Sequence, residues 1–327
     1  MKPEAKIVFV TGGTGFVGSH LVEALLAEGY EVRCLVRNKL GWLEGLPITP
    51  VQGDLFDKAA IDQALEGVSY VFHVGGLTRS RQWQDFEDAN VTATLRLLEA
   101  TERHRERIEK IVVVSSQAAA GASDFPLTED KPMKPVSMYG KSKALMEEKV
   151  HPFMDRLPIS IVRPPSVYGA READIFAFIK TANQGFCPIV GDGVHPQLNI
   201  VYVHDLVRGM IQVAHAARAI GETYFLGSAT DASWHEIRDA VCSALNKKVL
   251  TIHLPVSLVK PLGALVETTS GWFGQYPPLN REKAAEAQYS WRISIAKAQQ
   301  QIGYNPTTDL QTGMKETVNW YKMQRWL

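Results

Sequence analysis

Very little in this sequence is extreme, and each shortage rules something out. Only three cysteines occur, Cys34, Cys187 and Cys242. They are far apart and in no metal-ligand spacing, so neither a disulfide framework nor a metal centre is expected. The thiols read as small apolar packers in a reducing, cytoplasmic setting. Excess charge is lacking as well: 35 Lys and Arg stand against 35 Asp and Glu. No global field therefore favours nucleic acid or an anionic membrane. No apolar run reaches the roughly 18–20 residues that span a bilayer, which excludes an integral membrane segment. A signal-peptide pattern, internal repeats and low-complexity linkers are missing too. What remains is an ordinary globule of 327 residues, 45% apolar and 21% charged. That is enough for one large α/β domain and a smaller lobe.

The most informative stretch is KIVFVTGGTGFVG, residues 6–18. Ile7 to Thr11 form an apolar, β-branched run, read as a buried parallel strand. It enters a glycine cluster, and Phe16, Val17, Leu21, Val22, Ala24 and Leu25 then recur at helical spacing until Gly29. Strand, glycine turn and helix together make a cradle for a pyrophosphate, because the glycines let the backbone approach and the helix start offers free N–H donors. Glu31–Val36 reads as the second strand. Dinucleotide folds often place an acid at its end to hold the ribose 2′-hydroxyl. Here Val36 is followed by Arg37, Asn38 and Lys39, and an arginine fork suits a 2′-phosphate, so NADP is favoured over NAD.

Ile48–Gly53 reads as strand three. Asp54-Leu55 follows, with two roles open to Asp54: meeting the adenine amine, or capping the helix that begins near Lys58. Tyr70–Val74 is strand four and ends in Gly75-Gly76, whose missing side chains let a cofactor pass. His73, inside that strand, reads as a satisfied core histidine. A helix carrying Asn90, Leu95, Leu97 and Leu98 leads to strand five, Ile111–Ser115. Such alternation predicts a doubly wound parallel sheet, with ligands beyond the carboxyl ends of its strands. Residues 122–137 read as a loop, Ser137 starts a helix, and Ile159–Arg163 is strand six, stopped by Pro164-Pro165. Beyond it come a short strand at Asn199–Val203, a helix at Asp205–His215 and a strand at Thr223–Leu226. The fold class is thus α/β with a smaller, mainly helical lobe interleaved in sequence. Residues 1–165 form the dinucleotide-binding domain, with 199–226 returning to it; 166–198 and 227–327 form the substrate lobe. Val256, Leu258, Val259, Leu262, Leu265 and Val266, within 254–276, suggest a helix. It would line the substrate cleft, pack the core of the lobe or touch a membrane surface. Trp272 and Phe273 could wall a flat apolar substrate.

Tyr139 and Lys143 are four apart on the helix begun by Ser137, so they share a face. A free tyrosine, with a pKa near 10, is a poor proton donor at neutral pH. A neighbouring ammonium is expected to lower that value, while Lys143 also holds the nicotinamide ribose. Ser116, at the end of strand five, can polarise a substrate carbonyl.

These motifs carry a resemblance. TGGTGFVG (11–18), GDL (53–55), VFHVGG (71–76), NVTATLRLLEA (90–100), VVVSSQAAAG (112–121), YGKSK (139–143) and RPPSVYG (163–169) are similar to those of extended short-chain dehydrogenases/reductases, the NAD(P)-dependent epimerase/dehydratase superfamily. GDG (191–193), VYVHDL (201–206) and the tail 297–321 extend the likeness over nearly the full length. The resemblance implies a catalytic triad of Ser116, Tyr139 and Lys143. It implies that Gly12, Gly13, Thr14, Gly15, Phe16 and Val17, with Gly18, hold the pyrophosphate. Asn90 would support the lysine, and the backbone of Pro165, Ser166 and Val167 would meet the nicotinamide carboxamide. Gly75-Gly76 replaces the usual alanines, and Gln117 replaces a small residue and can reach the substrate. The VRN of strand two and PPLNREKAAEA…W (277–291) resemble the dihydroflavonol-reductase and 3β-hydroxysteroid-dehydrogenase branches.

The expected activity is hydride transfer between a nicotinamide and a secondary alcohol or ketone of a mostly apolar small molecule. Two other readings stay open. One is a nucleotide-sugar epimerase or dehydratase with retained NAD; the other is a dinucleotide sensor without turnover. The resemblance is also compatible with a homodimer, since many such proteins pair through helices beside the tyrosine.

Overall fold

The computed structural model describes residues 6–255, 257–259, 261, 263 and 281–327. The putting-together of the fold starts with strands β1 (Ile7–Thr11), β2 (Glu31–Val36), β3 (Thr49–Gln52), β4 (Val68–His73) and β5 (Lys110–Val114). Strand β6 (Ser123–Leu127) precedes β7 (Ile159–Arg163), β8 (Ser166–Tyr168), β9 (Phe186–Val190) and β10 (Gln197–Leu198). Strands β11 (Ile200–Tyr202), β12 (Thr223–Phe225), β13 (Ala232–Ser233), β14 (Leu250–Leu254) and β15 (Trp291–Ile293) complete the set. Seven of these form one parallel sheet in the order β12-β7-β5-β4-β1-β2-β3. Chain direction across the sheet reverses between β1 and β4, and a doubly wound sheet opens its ligand crevice at that point.

The alternation of side chains explains why this sheet is covered on both faces. Val8 and Val10 of β1, Tyr70 and Phe72 of β4, and Val112 and Val114 of β5 join one apolar cluster. Phe9, Val71, Ile111 and Val113, between them in sequence, join the other. Helices α1 (Phe16–Ala27), α2 (Lys58–Leu65), α3 (Ala93–Arg103), α4 (Met138–Met154) and, after α5 (Asp174–Asn183), α6 (Val203–His215) supply the covers, while α5 and α7 (Trp234–Leu245) pack on each other and on β9. Leu21, Leu25 and Met210 of α1 and α6 pack on the first face. Ile61, Leu97, Leu98, Met146 and Val150 of α2, α3 and α4 pack on the second.

Two sequence expectations change. Residues 122–137 are not all loop: Ser123–Leu127 is a strand, paired with β15 in a four-stranded sheet ordered β13-β10-β15-β6. Its exposed Asp124 and Phe125 and its Pro126 hid the alternation that marks a strand, so pairing with a partner some 170 residues away decides its conformation. Asp54 does not cap the helix after β3. Its Oδ1 accepts from the Phe56 and Asp57 backbones at 2.7 and 3.1 Å, making a turn, and Asp57 caps α2 by accepting from Ala60 N at 3.1 Å. Two further small sheets, β8–β11 and β9–β14, are parallel pairs outside the main sheet. Among the described residues no helix is long and apolar enough to cross a membrane. Leu258 and Val259 are exposed and buried respectively. Val256, Leu262, Leu265, Val266, Trp272 and Phe273 lie outside the described residues.

Candidate active site

The glycine turn is built by backbone crowding. Gly12 has φ +71°, and a Cβ there would stand 2.5 Å from Gly75 N; one at Gly18 would stand 2.1 Å from Gly12 O. Only glycine lets the ends of β1 and β4 and the start of α1 close on one another in this way. At Gly13 a Cβ would meet the Cys34 sulfur at 3.1 Å. Gly15 is the N-cap of α1 and offers no side-chain cap, so the first N–H donors of Phe16 and Val17 are left for another acceptor. The Thr14 carbonyl faces Gly41, in the loop after β2.

Ser116 lies two residues past β5 and caps the short helical turn Gln117–Ala120, accepting from Ala118 N at 3.1 Å. The Gln117 backbone N–H donates to Pro164 O at 2.8 Å, which ties this turn to the end of β7. Ser137 caps α4 by accepting from Gly140 N at 3.2 Å. A Cβ at Gly140 would sit 2.4 Å from the Ala118 carbonyl oxygen, so this glycine is what lets the first turn of α4 lie against the serine turn. Tyr139 comes with it and lies near enough to Ser116 for that hydroxyl to act on its phenol.

Burial pushes the Tyr139 phenol up to about 12, against a downward pull from Ser116, and the Glu286 carboxylate adds to the rise. A phenol made acidic by Lys143 was the expectation from sequence. Burial governs the phenol instead, and Tyr139 stands as a protonated acid at neutral pH. Lys143 Nζ donates to the Val114 carbonyl at 2.9 Å. Burial lowers its pKa to about 8, with Glu147 pulling it back up.

Asn90 is fully buried in a π-helical turn, Glu87–Thr92, that runs into α3. Single π turns mark functional sites, since the extra residue re-aims a side chain. Its amide donates to Leu77 O and Ser142 Oγ, both at 2.9 Å, and its Oδ1 accepts from Leu77 N at 2.7 Å. A Cβ at Gly76 would meet Asn90 Oδ1 at 3.0 Å and Lys143 Nζ at 3.2 Å. The fold therefore brings Ser116, Tyr139, Lys143, Asn90 and Gly76 together. Arg37, exposed at the end of β2, and Asp54 and Leu55, after β3, stand on the other side of the crevice. Pro165 is buried, Val167 half-buried and Ser166 exposed, all leading into or along β8. The Gln117 side chain is buried, and its Nε2 has no hydrogen-bond partner among the described residues. His73 is a core histidine, as expected. It sits between Thr11 Oγ1 at 2.7 Å and Thr94 Oγ1 at 2.8 Å, and burial pushes its pKa down to about 3.

Sequence reasoning missed two features. Glu147, one turn past Lys143 on α4, is buried and receives Arg163 through Nε at 3.0 Å and Nη2 at 2.6 Å, with Ser115 Oγ donating to it as well. Its spacing of four from Lys143 was the available signal. Glu282 and Glu286, on a helical turn at Arg281–Glu286, gave none. Yet Glu282 Oε1 accepts from Met138 N at 2.8 Å and so joins the C-terminal part of the chain to the start of α4.

A parallel doubly wound sheet with a glycine turn at its switch point is the fold of the extended short-chain dehydrogenases/reductases. The model of the NAD-dependent epimerase/dehydratase family matches residues 8–227, and the chain belongs to that family. It is 27% identical over 326 residues to ceramide reductase of Caulobacter vibrioides, spanning 98% of this chain and 96% of that one. It is 26% identical over 341 residues to a 3-beta-hydroxysteroid dehydrogenase of Mycolicibacterium neoaurum, spanning 96% and 91%. The UDP-glucuronic acid 4-epimerase of Bacillus cereus, solved with UDP-glucuronic acid and NAD, shares the fold with a TM-score of 0.78. Its identity is 22%, covering 97% of this chain and 99% of that one. The family is described as NAD-dependent, and the Bacillus cereus epimerase was solved with NAD.

Proposed function

We propose that the protein is an oxidoreductase that moves hydride between a nicotinamide and the carbinol or carbonyl carbon of a mostly apolar small molecule. The carrying observation is the placing of Tyr139 beside Ser116 at the carboxyl edge of the sheet, by the close packing of Gly140 on Ala118, with the Lys143 ammonium buried one turn along α4. The names of ceramide reductase and 3-beta-hydroxysteroid dehydrogenase, both similar over nearly the whole chain, support an apolar alcohol or ketone.

The residues present fit a dinucleotide. Gly12, Gly13, Thr14, Gly15, Phe16 and Val17 would hold its pyrophosphate, since the turn admits no side chain at Gly12 and the α1 N–H groups have no side-chain cap. Gly75 and Gly76 would pass beside it, Asp54 and Leu55 would face the adenine, and Pro165, Ser166 and Val167 would meet the carboxamide. Bound there, the dinucleotide supplies or takes up the hydride. The Ser116 hydroxyl donates to the substrate oxygen and polarises it. Tyr139, protonated at neutral pH, gives its proton to that oxygen in the reductive direction and takes one back in the oxidative direction. Lys143 holds the nicotinamide ribose, and its charge offsets the phenolate that forms. Asn90 fixes the backbone around Gly76 that faces this ammonium. The buried Gln117 Nε2 is a donor for a second substrate oxygen. Arg37, with no acid at the end of β2, favours NADP over NAD.

Net consumption of NADPH by a panel of ketones, followed at the nicotinamide absorbance, tests the reading. A second reading, a nucleotide-sugar epimerase with catalytic, retained NAD, is favoured by the epimerase members of the family. Tightly held NAD released only on unfolding, with no net consumption, would select it.

A further inference from the structure

Away from the crevice, the surface breaks the usual alternation in one place. Strands β9 and β14 form a parallel ribbon, with Phe186 opposite Leu250, Pro188 opposite Ile252 and Val190 opposite Leu254. Successive residues of a strand face opposite sides. Cys187 and Ile189 are buried, and the Thr251 hydroxyl accepts from Arg238 at 3.3 Å on α7. The intervening residues make the more outward face and all six are apolar, with Phe186, Leu250 and Ile252 exposed, Pro188, Val190 and Leu254 half-buried, and His253 of the other face exposed as well at the end of the ribbon. Phe186 is 48% exposed, Leu250 62% and Ile252 42%; Leu258, just past the ribbon, is 56% exposed. A surface ribbon ordinarily turns polar residues outward, and a contiguous exposed apolar patch marks a contact surface.

Lysines flank the patch where β14 begins, while Asp192 follows β9 and Asp239 of α7 is paired with Arg238. Lys247 and Lys248 lead into β14 and are exposed. Lys247 Nζ is held beside the start of β9 by Asn183, through its carbonyl at 2.8 Å and its Oδ1 at 2.7 Å. From Ala244 to Val266 the sequence holds Lys247, Lys248 and Lys260 and no carboxylate, and Asn183 to Gly191 holds none either. In a chain whose formal charges cancel, this is a local cationic rim on an apolar face.

We propose that the β9–β14 ribbon seats the protein on an anionic lipid surface, inserting Phe186, Leu250 and Ile252 while Lys247 and Lys248 meet the headgroups. A second copy of the chain would cover the apolar residues and leave the lysines without counter-charges; anionic lipid satisfies both. The seat gives the proposed oxidoreductase access to apolar alcohols and ketones that partition into a bilayer, and it rests on that reading for its purpose.

Co-sedimentation of the full chain tests the proposal, using vesicles of phosphatidylcholine with about a third phosphatidylglycerol, and of phosphatidylcholine alone. The wild type binds the mixed vesicles and binds the neutral ones more weakly. Leu250→Ser/Ile252→Ser lowers binding by at least about tenfold. Lys247→Gln/Lys248→Gln lowers it by about 30-fold, roughly fivefold for each lysine near an anionic surface. Both variants keep the wild-type melting temperature and dinucleotide affinity. Wild type remaining in the supernatant, equal binding to neutral vesicles, or variants that sediment like wild type overturn the proposal. So does a wild-type dimer that ignores vesicles and that Leu250→Ser/Ile252→Ser converts to monomers, which would assign the face to a second copy. Tyr139→Phe sediments as wild type. Ketone turnover without vesicle binding therefore refutes the docking alone, and vesicle binding without any turnover refutes the redox reading alone.

Discussion

Glu147 and Arg163 offer the sharpest quantitative test of how the active helix is held. The pair is buried on both sides, with a two-pronged contact through Nε and Nη2, and Ser115 donates to the same carboxylate. Replacing Glu147 by Leu leaves the buried guanidinium without its paired carboxylate, which costs about 3–5 kcal/mol. Removing both charges in Glu147→Leu/Arg163→Met leaves no orphaned ion, so the double variant is expected to be more stable than the single one. Urea unfolding with linear extrapolation measures both. The milder Glu147→Gln adds a functional readout. Glu147 holds the Lys143 pKa up against a burial that has lowered it to about 8. Without the carboxylate, the ammonium is lost at lower pH, and the alkaline limb of the kcat/KM profile moves to below 8. A double variant at least as destabilised as the single one, or an unmoved alkaline limb, refutes the reasoning.

Other perturbations follow from the same geometry. Gly18→Ala places a methyl 2.1 Å from the Gly12 carbonyl oxygen; calorimetry is expected to show dinucleotide affinity lowered by at least about tenfold, with about 1–3 kcal/mol of stability lost to overpacking. Arg37→Ala is expected to weaken NADP(H) by about 1.5–3 kcal/mol, the scale of a charged hydrogen bond, and to spare NAD(H); equal affinities for the two cofactors in the wild type contradict the preference. Burial pushes His73 down to about 3 and His20 to about 4, from an ordinary 6.5. The unfolded chain therefore binds more protons below pH 6.5, so stability is full above that pH and falls as the pH drops, by about 1.4 kcal/mol per unit for each histidine. A melting temperature that stays flat on acidification from about pH 7 to pH 5 contradicts it.

The sheet was legible in the sequence because its strands are central and buried on both faces. IVFVT, EVRCLV and ISIVR are continuous runs with few rival readings, and their structural bounds match the expectation. Ser123–Leu127 was not legible, because an edge strand carrying proline and exposed side chains owes its conformation to β15. Asp54 and Asp57 compete for the same cap, and only geometry separates the turn-former from the cap. At the active helix, spacing put Tyr139 and Lys143 on one face. It could not show how far the phenol is buried, and burial governs Tyr139. Glu286, which also raises that phenol, is 147 positions away in sequence, and no local pattern marks such a neighbour.

The most direct measurement compares wild type with Tyr139→Phe in the net oxidation of NADPH by an apolar ketone, alongside dinucleotide binding by both. The account predicts steady consumption by the wild type, none above background by the variant, and nearly unchanged binding. An unchanged kcat in Tyr139→Phe would contradict it.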